Sequence, residues 1–438
     1  VPNVSGGLVI SKVPQRTSWD LQSNLRYARA AEAAGFEYAL TQIRFTASYG
    51  ASGKSPRPPM PLATPQCCFH SPVLLPLPTA ASRARIWIEI WTLHLAPGGG
   101  NVAKPDGPVY TNAPPSHADQ HESVSFSQAL LQGTTTLRVI AAILPGPWAP
   151  AVVAKQIASI DHYSGGRIAV NIVSGWFKGE FTAIGEWWLD HAERYRRSAE
   201  FMRCLRGIWT ADAEDGFTFA GDFYRFRGYK LSPKPVQKPH PEIFQGGNSD
   251  DARDNGAQVA DWYFMNGNDL EGFRTQIEDV KSRAKAAGRE GQVKFAVNGF
   301  VIVRETEEEA VRVLQEIQGK ADAEAVEAFA GEVKNAGAST GNKTGMWATS
   351  TFNDLVQYND GFKTKLIGTK EQVAERIVLL KSLGVNQVLT AFLHYEEEVE
   401  QFGREVLPLV RQLEAQGRGQ DAAFEIERTG DVYKKRSS

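Results

Sequence analysis

Apolar positions along the chain change period in a regular way. Leu25, Ala28, Ala31 and Ala34 lie three residues apart after the capping pair Thr17-Ser18, which predicts a helix ended by Gly35. Phe36 to Ile43 then reads as a strand. The alternation resumes with a helix around Ser123 to Leu131, a strand Leu137 to Leu144 and a helix Ala149 to Ile160. Ile168 to Val173 is apolar and β-branched apart from Asn171, the pattern of a strand buried on both faces. Helix Glu193 to Trp209 is followed by a hairpin over Phe217 to Phe226. Three strand–helix pairs come next: Glu242 to Gln245 with a helix from Asp250, Asp261 to Met265 with Leu270 to Ala287, and Val293 to Val303 with an acidic helix from Thr306. Ala330 to Lys365 is polar and poorly periodic and is expected to be a mobile lid. Helix Glu371 to Leu383, strand Gln387 to Phe392 and helix Val399 to Leu413 close the pattern, and the polar tail beyond Gly417 is expected to be disordered. Such alternation, without a repeated domain, predicts an α/β fold, a (β/α)8 barrel with insertions. The expected organisation is one barrel domain over 1–417 and a tail over 418–438.

One segment breaks the texture. Residues 53–118 hold thirteen of the 23 prolines, the adjacent Cys67 and Cys68, and the apolar island Ile86-Trp87-Ile88-Glu89-Ile90-Trp91. Structureless loops of that length are uncommon inside compact domains. Gly53-Lys54-Ser55 can be encoded by a sequence containing GTAAGT, a common splice-donor form, and Ala118-Asp119 by one containing an acceptor AG in the same phase. The segment therefore reads as a retained intron, whose removal would leave a short loop from Tyr49 to Glu122.

The net charge of −2, with both signs interspersed, gives no support for nucleic-acid or membrane binding. Three cysteines, two of them adjacent, make neither a disulfide framework nor a metal set and suit a reducing, cytoplasmic setting. The eight histidines show no metal-ligand spacing, so no metal is expected.

Barrels keep their chemistry at the C-terminal ends of strands. Arg44 stands there, and so does Asn171, whose buried amide needs partners that a ligand can provide; an ordinary strand with a tolerated core Asn fits equally well. Gly246-Gly247-Asn248-Ser249 joins a strand to a helix, where free amides and the helix dipole attract phosphate, although a plain turn has the same pattern. Arg194-Tyr195 adds a cation and a phenol able to hold an anion, or belongs to an exposed arginine-rich helix face.

Several long motifs carry a resemblance: Val1-Pro2-Asn3-Val4-Ser5-Gly6-Gly7, Glu37 to Phe45 (EYALTQIRF), Gln120-His121-Glu122-Ser123, Ala141 to Trp148 (AAILPGPW), Val170 to Trp176 (VNIVSGW) and Tyr358-Asn359-Asp360-Gly361-Phe362. With them the chain resembles the bacterial-luciferase-like flavin monooxygenases over nearly its whole length, except the proline-rich segment and the tail. It begins just inside the family's first strand, so residues of that strand are expected to precede Val1. The resemblance implies a barrel, reduced FMN delivered by a separate NAD(P)H-dependent flavin reductase, dioxygen as co-substrate, and a homodimer or tetramer. Within the family the likeness is to enzymes that split a C–S bond of dimethyl sulfone, giving methanesulfinate and formaldehyde. It places FMN contacts on Ile43, Arg44, Asn171, Glu180, Arg194, Tyr195 and Ser249, with Gly246 and Gly247 in the phosphate turn. Trp148 and Trp176 would form an aromatic wall that excludes water. Similar alkanesulfonate monooxygenases carry Arg and His where this chain has Asn298 and Phe300, and Tyr where it has Phe392. Loss of those polar groups suits a neutral sulfone better than a sulfonate anion. Arg44 and His394 are the candidate catalytic residues, although a structural role for His394 is equally consistent with its position. Alkanesulfonate or pyrimidine oxygenation is the alternative inside the family, and a non-catalytic flavin-binding barrel the alternative outside it.

Overall fold

The computed structural model describes residues 9–15, 20–42, 121–337 and 347–418. Its strands are β1 (Tyr38–Leu40), β2 (Arg138–Ile143), β3 (Ile168–Ile172), β4 (Phe217–Ala220), β5 (Arg225–Tyr229), β6 (Ile243–Gly246), β7 (Trp262–Met265), β8 (Lys294–Val303), β9 (Leu366–Gly368) and β10 (Gln387–Ala391). Seven of them form one parallel row in the order β1-β2-β3-β6-β7-β8-β10. β4 and β5 pair separately as an antiparallel hairpin.

The row is strongly curled. β2 and β3 separate β1 from β6, yet the Tyr38 hydroxyl donates to Glu242 just before β6 at 2.7 Å, and the Tyr38 and Phe244 rings lie 6.2 Å apart. The two ends of the row also approach each other. Phe36, before β1, packs edge-on against Phe392, after β10, at 6.4 Å. Leu40 of β1 shares an interior cavity with Gln387 and Leu389 of β10. The architecture is the expected α/β barrel.

Two apolar layers hold it. Tyr38, Ile140, Ala169, Phe244, Trp262 and Ala296 fill the interior. A larger shell lies between strands and helices, where alternate strand residues such as Val139, Ala141 and Ile143 meet Val153 and Ile157 of helix Pro150–Ser164. Burial on both faces explains why these strands are continuously apolar. The N-terminal end of the interior is plugged by charge. Glu242 accepts from Tyr38 and from Trp262 Nε1 at 3.0 Å, and pairs with Arg138 at 3.0 Å and Lys294 at 3.3 Å.

The segment expected to be a mobile lid is different where it is described. Helix Ala323–Gly337 runs through its start and β9 pairs in parallel with the last residues of β8 near its end. Trp347, Leu355, Val356 and Phe362 are buried in a second apolar cluster with Val9, Ile10 and Phe300. Ile10 N–H donates to Val356 at 2.7 Å. Its buried residues are irregularly spaced because short turns, not one long helix, carry them, and periodicity could not reveal them. The final helix is also interrupted: Tyr395–Gln401 passes through a wider turn, Phe402–Val406, into Leu407–Ala415. Pro408 lacks the N–H that an unbroken helix would use there. The proline-rich segment 53–118 and the tail beyond 418 lie outside the described residues.

Candidate active site

The turn after β6 and the start of helix His191–Thr210 meet at one point. Ser249 caps helix Asp250–Val259 by accepting from the Ala252 amide, as its place after two glycines predicts. Its hydroxyl also lies 3.0 Å from His191 Nε2, so the N-termini of two helices converge. The Tyr195 hydroxyl lies over Gly247, where φ is +134°. A Cβ at that glycine would sit 2.5 Å from the Tyr195 oxygen and 2.7 Å from the Ala252 methyl, so only glycine permits the approach. Tyr263 fixes the turn from below by donating to the Gly247 carbonyl, and Gln276 donates to Asn248 at 3.0 Å and to Tyr263 at 2.8 Å. Asn255 holds the Tyr195 carbonyl at 2.8 Å.

Arg194 ties this point to the strand Ile168–Ile172. It donates to the Gly175 carbonyl, and its guanidinium lies 4.1 Å from the centre of the Trp188 ring. Arg194 is 2% exposed, its Nε has no partner, and no carboxylate lies within ion-pair distance of it among the described residues. Burial pushes its guanidinium down to about 10, with Arg197 adding to the effect against Tyr195 and Asp190. A buried cation with spare donors beside two helix N-termini is a site that wants an anion.

Asn171 lies elsewhere in the same barrel. It is the penultimate residue of β3, its Oδ1 is buried without a partner, and it lines a cavity of about 10 Å³ with Leu40, Phe244, Phe264 and Gln387. Glu180 is buried in the short helix Lys178–Ala183. Trp176 packs with Phe329 and Trp347, each 5.8 Å away, while Phe329 meets Tyr358 at 4.6 Å. Trp148 is not in this group and packs against the main shell.

Asn298 and Phe300 are buried on β8 and engage the segment before β9. Asn298 Nδ2 donates to the Asn359 carbonyl at 3.3 Å, and Phe300 meets Phe362 at 5.1 Å. Gln357 Oε1 accepts from the Asn359 and Gly361 amides at 3.0 and 2.7 Å. Phe392 stands apart from the expected pocket, packed among Phe36, Tyr395 and Phe402 between strands and helices. His394 caps the next helix through its backbone and has a buried, unpartnered Nδ1. Ile43 and Arg44 lie outside the described residues. His191, Trp188 and Tyr263 belong to no motif that the sequence offers, although the first two lie within six residues of Arg194.

The model of the luciferase-like monooxygenase family matches residues 109–387. The chain belongs to that family. It is 55% identical over 418 residues to an FMNH2-dependent dimethylsulfone monooxygenase of Pseudomonas putida, covering 95% of this chain and 96% of that protein. A protein of the same description from Pseudomonas fluorescens (strain Pf0-1) is 54% identical over 415 residues, covering 95% and 94%. The crystal structure of a riboflavin lyase with modified FMN and riboflavin superposes with a TM-score of 0.69 at 20% identity, over 95% of this chain and 91% of that one. At that identity the likeness shows the fold alone. Within the luciferase-like frame, the cradle of Arg194, Tyr195, Gly247 and Ser249 occupies the strand-end face where barrels bind ligands.

Proposed function

We infer that this luciferase-like chain is an FMNH2-dependent monooxygenase that takes dimethylsulfone. The observation that carries the reading is the 55% identity, over 95% of the chain, to the Pseudomonas putida enzyme of that description. The overall balance is dimethylsulfone, dioxygen and FMNH2 giving methanesulfinic acid, formaldehyde, water and FMN. Reduced FMN, when bound, supplies the two electrons that activate dioxygen.

The residues of this chain bind and shield. Arg194, Tyr195, Ser249 and the amides following Gly247 hold the flavin phosphate, supported by the unmatched Arg194 charge. Asn171 offers its unpartnered carbonyl oxygen to a flavin donor. Trp176, with Phe329 and Trp347, forms an apolar wall that keeps water from the reacting centre. Asn298 and Phe300 are spent on anchoring Gln357 to Phe362 and present no cation, which fits a neutral sulfone and penalises a sulfonate. A separate flavin reductase, NAD(P)H-dependent in this reading, delivers FMNH2. Self-association as a homodimer or tetramer belongs to this reading through the family likeness. Sedimentation of the purified chain tests that part.

The deciding experiment is oxygen-dependent formaldehyde release from dimethylsulfone with a supplied flavin reductase. Turnover with dimethylsulfone but not with methanesulfonate or uracil is the expected result. Preferential turnover of either control overturns the substrate assignment.

A further inference from the structure

The cradle contains a titratable group that sequence motifs did not single out. His191 is the first residue of its 20-residue helix, and its side chain is 12% exposed. The helix cap Asp190 makes no side-chain capping bond, leaving the first amides open. The imidazole is surrounded from both helices. Arg194 and Tyr195 face it from its own helix, the Tyr195 ring at 4.9 Å. From the opposing helix come Ser249 Oγ at 3.0 Å and the Asp251 carboxylate at 3.5 Å.

We propose that His191 is a ligand of the flavin phosphate which takes up a proton as FMN binds, and so helps the protein prefer FMN to riboflavin. This rests on the phosphate placement given above. Burial, and then the Arg194 charge, hold the free imidazole below its usual range against the pull of Asp251 and favour the neutral ring. A phosphate at the two helix N-termini reverses that balance, because a dianion beside the ring favours its charged form. The second, independent mark of an anion is Arg194 itself, buried to 2% exposure with Nε unfilled. Linkage then fixes the sign. The bound histidine has the higher pKa, so its contribution to FMN affinity is present at low pH and fades as pH rises through that value.

The test uses the full-length protein with oxidised FMN and riboflavin as probes. Flavin fluorescence gives Kd from pH 6 to 8.5, and calorimetry in Hepes and in Tris reads proton uptake directly. Wild type is compared with His191→Gln, which keeps a hydrogen-bonding side chain but cannot titrate. Free FMN titrates identically in both experiments, so their difference reports the coupled titration of His191 and the bound phosphate. The expected result is an affinity advantage of wild type over His191→Gln that shrinks several-fold across this range, within the roughly tenfold ceiling set by one pKa unit of coupling. Proton uptake is expected in wild type alone, with riboflavin affinity unchanged by the substitution. Matching pH profiles and equal proton uptake in the two proteins overturn the proposal. Arg194→Met, with Tyr195→Phe as the milder second variant, tests the underlying placement. If these leave the FMN-to-riboflavin preference intact, the phosphate lies elsewhere. If they collapse it while His191→Gln behaves as wild type, the placement stands and only the role of His191 falls.

Discussion

Asn171→Leu separates a flavin contact from a tolerated core amide, because the two roles differ in the sign of one effect. Leucine has the branching of asparagine, so the change removes polarity at nearly constant shape. In the free protein Asn171 Oδ1 is buried without a partner. An unsatisfied buried acceptor costs about 1–3 kcal/mol, and an apolar replacement of the same shape recovers up to that amount. Unfolding entropy of about 2.1 cal/mol/K per residue gives about 0.9 kcal/mol/K for 438 residues, so the free variant should melt roughly 1–3 °C higher. The flavin complex should move the other way. Loss of one hydrogen bond worth about 0.5–1.5 kcal/mol weakens FMN binding by roughly two- to tenfold. Thermal unfolding of the flavin-free protein and fluorescence titration with FMN, on one preparation, measure both. A lower melting point in the free variant, or an unchanged FMN Kd, refutes the assignment.

Gly247→Ala should weaken FMN binding at least tenfold, since a Cβ 2.5 Å from the Tyr195 oxygen at φ +134° forces the turn and the phenol apart; titration with FMN and with riboflavin reads it, and an unchanged FMN Kd counts against the cradle. Glu32→Gln should flatten the acid limb of stability. Burial works against the Glu32 carboxylate, but the amides of Thr136, Leu137 and Thr135 hold it down to about 2, so its contribution is present above about pH 4.5 and lost as pH falls toward 2. Melting points of the two proteins across that window should converge at the acid end; parallel curves refute this. Excision of residues 53–118 should leave FMN affinity and turnover equal to or better than those of the full chain. A loss of binding would show that the segment belongs to the enzyme.

The strands were legible because a parallel barrel buries both their faces. Ile168 to Val173 could be read from apolar content alone, and the structure ends that strand one residue earlier. The hairpin of β4 and β5 was legible from aromatic residues flanking Gly221-Asp222. β9 was not, because three residues directly after a polar stretch give no period, and they form a strand only by pairing with the end of β8. The site divides in the same way. Arg194, Tyr195, Gly247 and Ser249 came from motifs and are brought together. His191 could have been found as a histidine immediately after Asp190, at a helix start one turn before Arg194, had the helix been begun two residues sooner. Phe392 shows the opposite failure. Its place near a strand end said nothing about which side of the barrel it faces, and one residue of register reverses that side.

Charge compensation separates the two ends of the barrel without help from any motif. At the N-terminal end, every cation facing the plug has an anion: Arg138 and Lys294 both meet Glu242, whose carboxyl is held below the usual range by Tyr38, Trp262 and these two charges against the opposing effect of burial. Removing Glu242 would leave cations half-buried and unmatched, so that cluster is complete as it stands. At the other end Arg194 is more deeply buried than either, yet its direct contacts are the Gly175 carbonyl and the Trp188 ring, with no ion pair among the described residues. Two helix N-termini there add partial positive charge, which Asp190 at one cap and Glu193, Asp250 and Asp251 in the first turns offset in part. Other guanidiniums of this fold, Arg167 and Arg289, fill their donors on backbone carbonyls, whereas Arg194 is 2% exposed and keeps an unfilled Nε. In the proposed reading a dianionic phosphate at the C-terminal ends of the strands supplies the anion that neutral riboflavin does not.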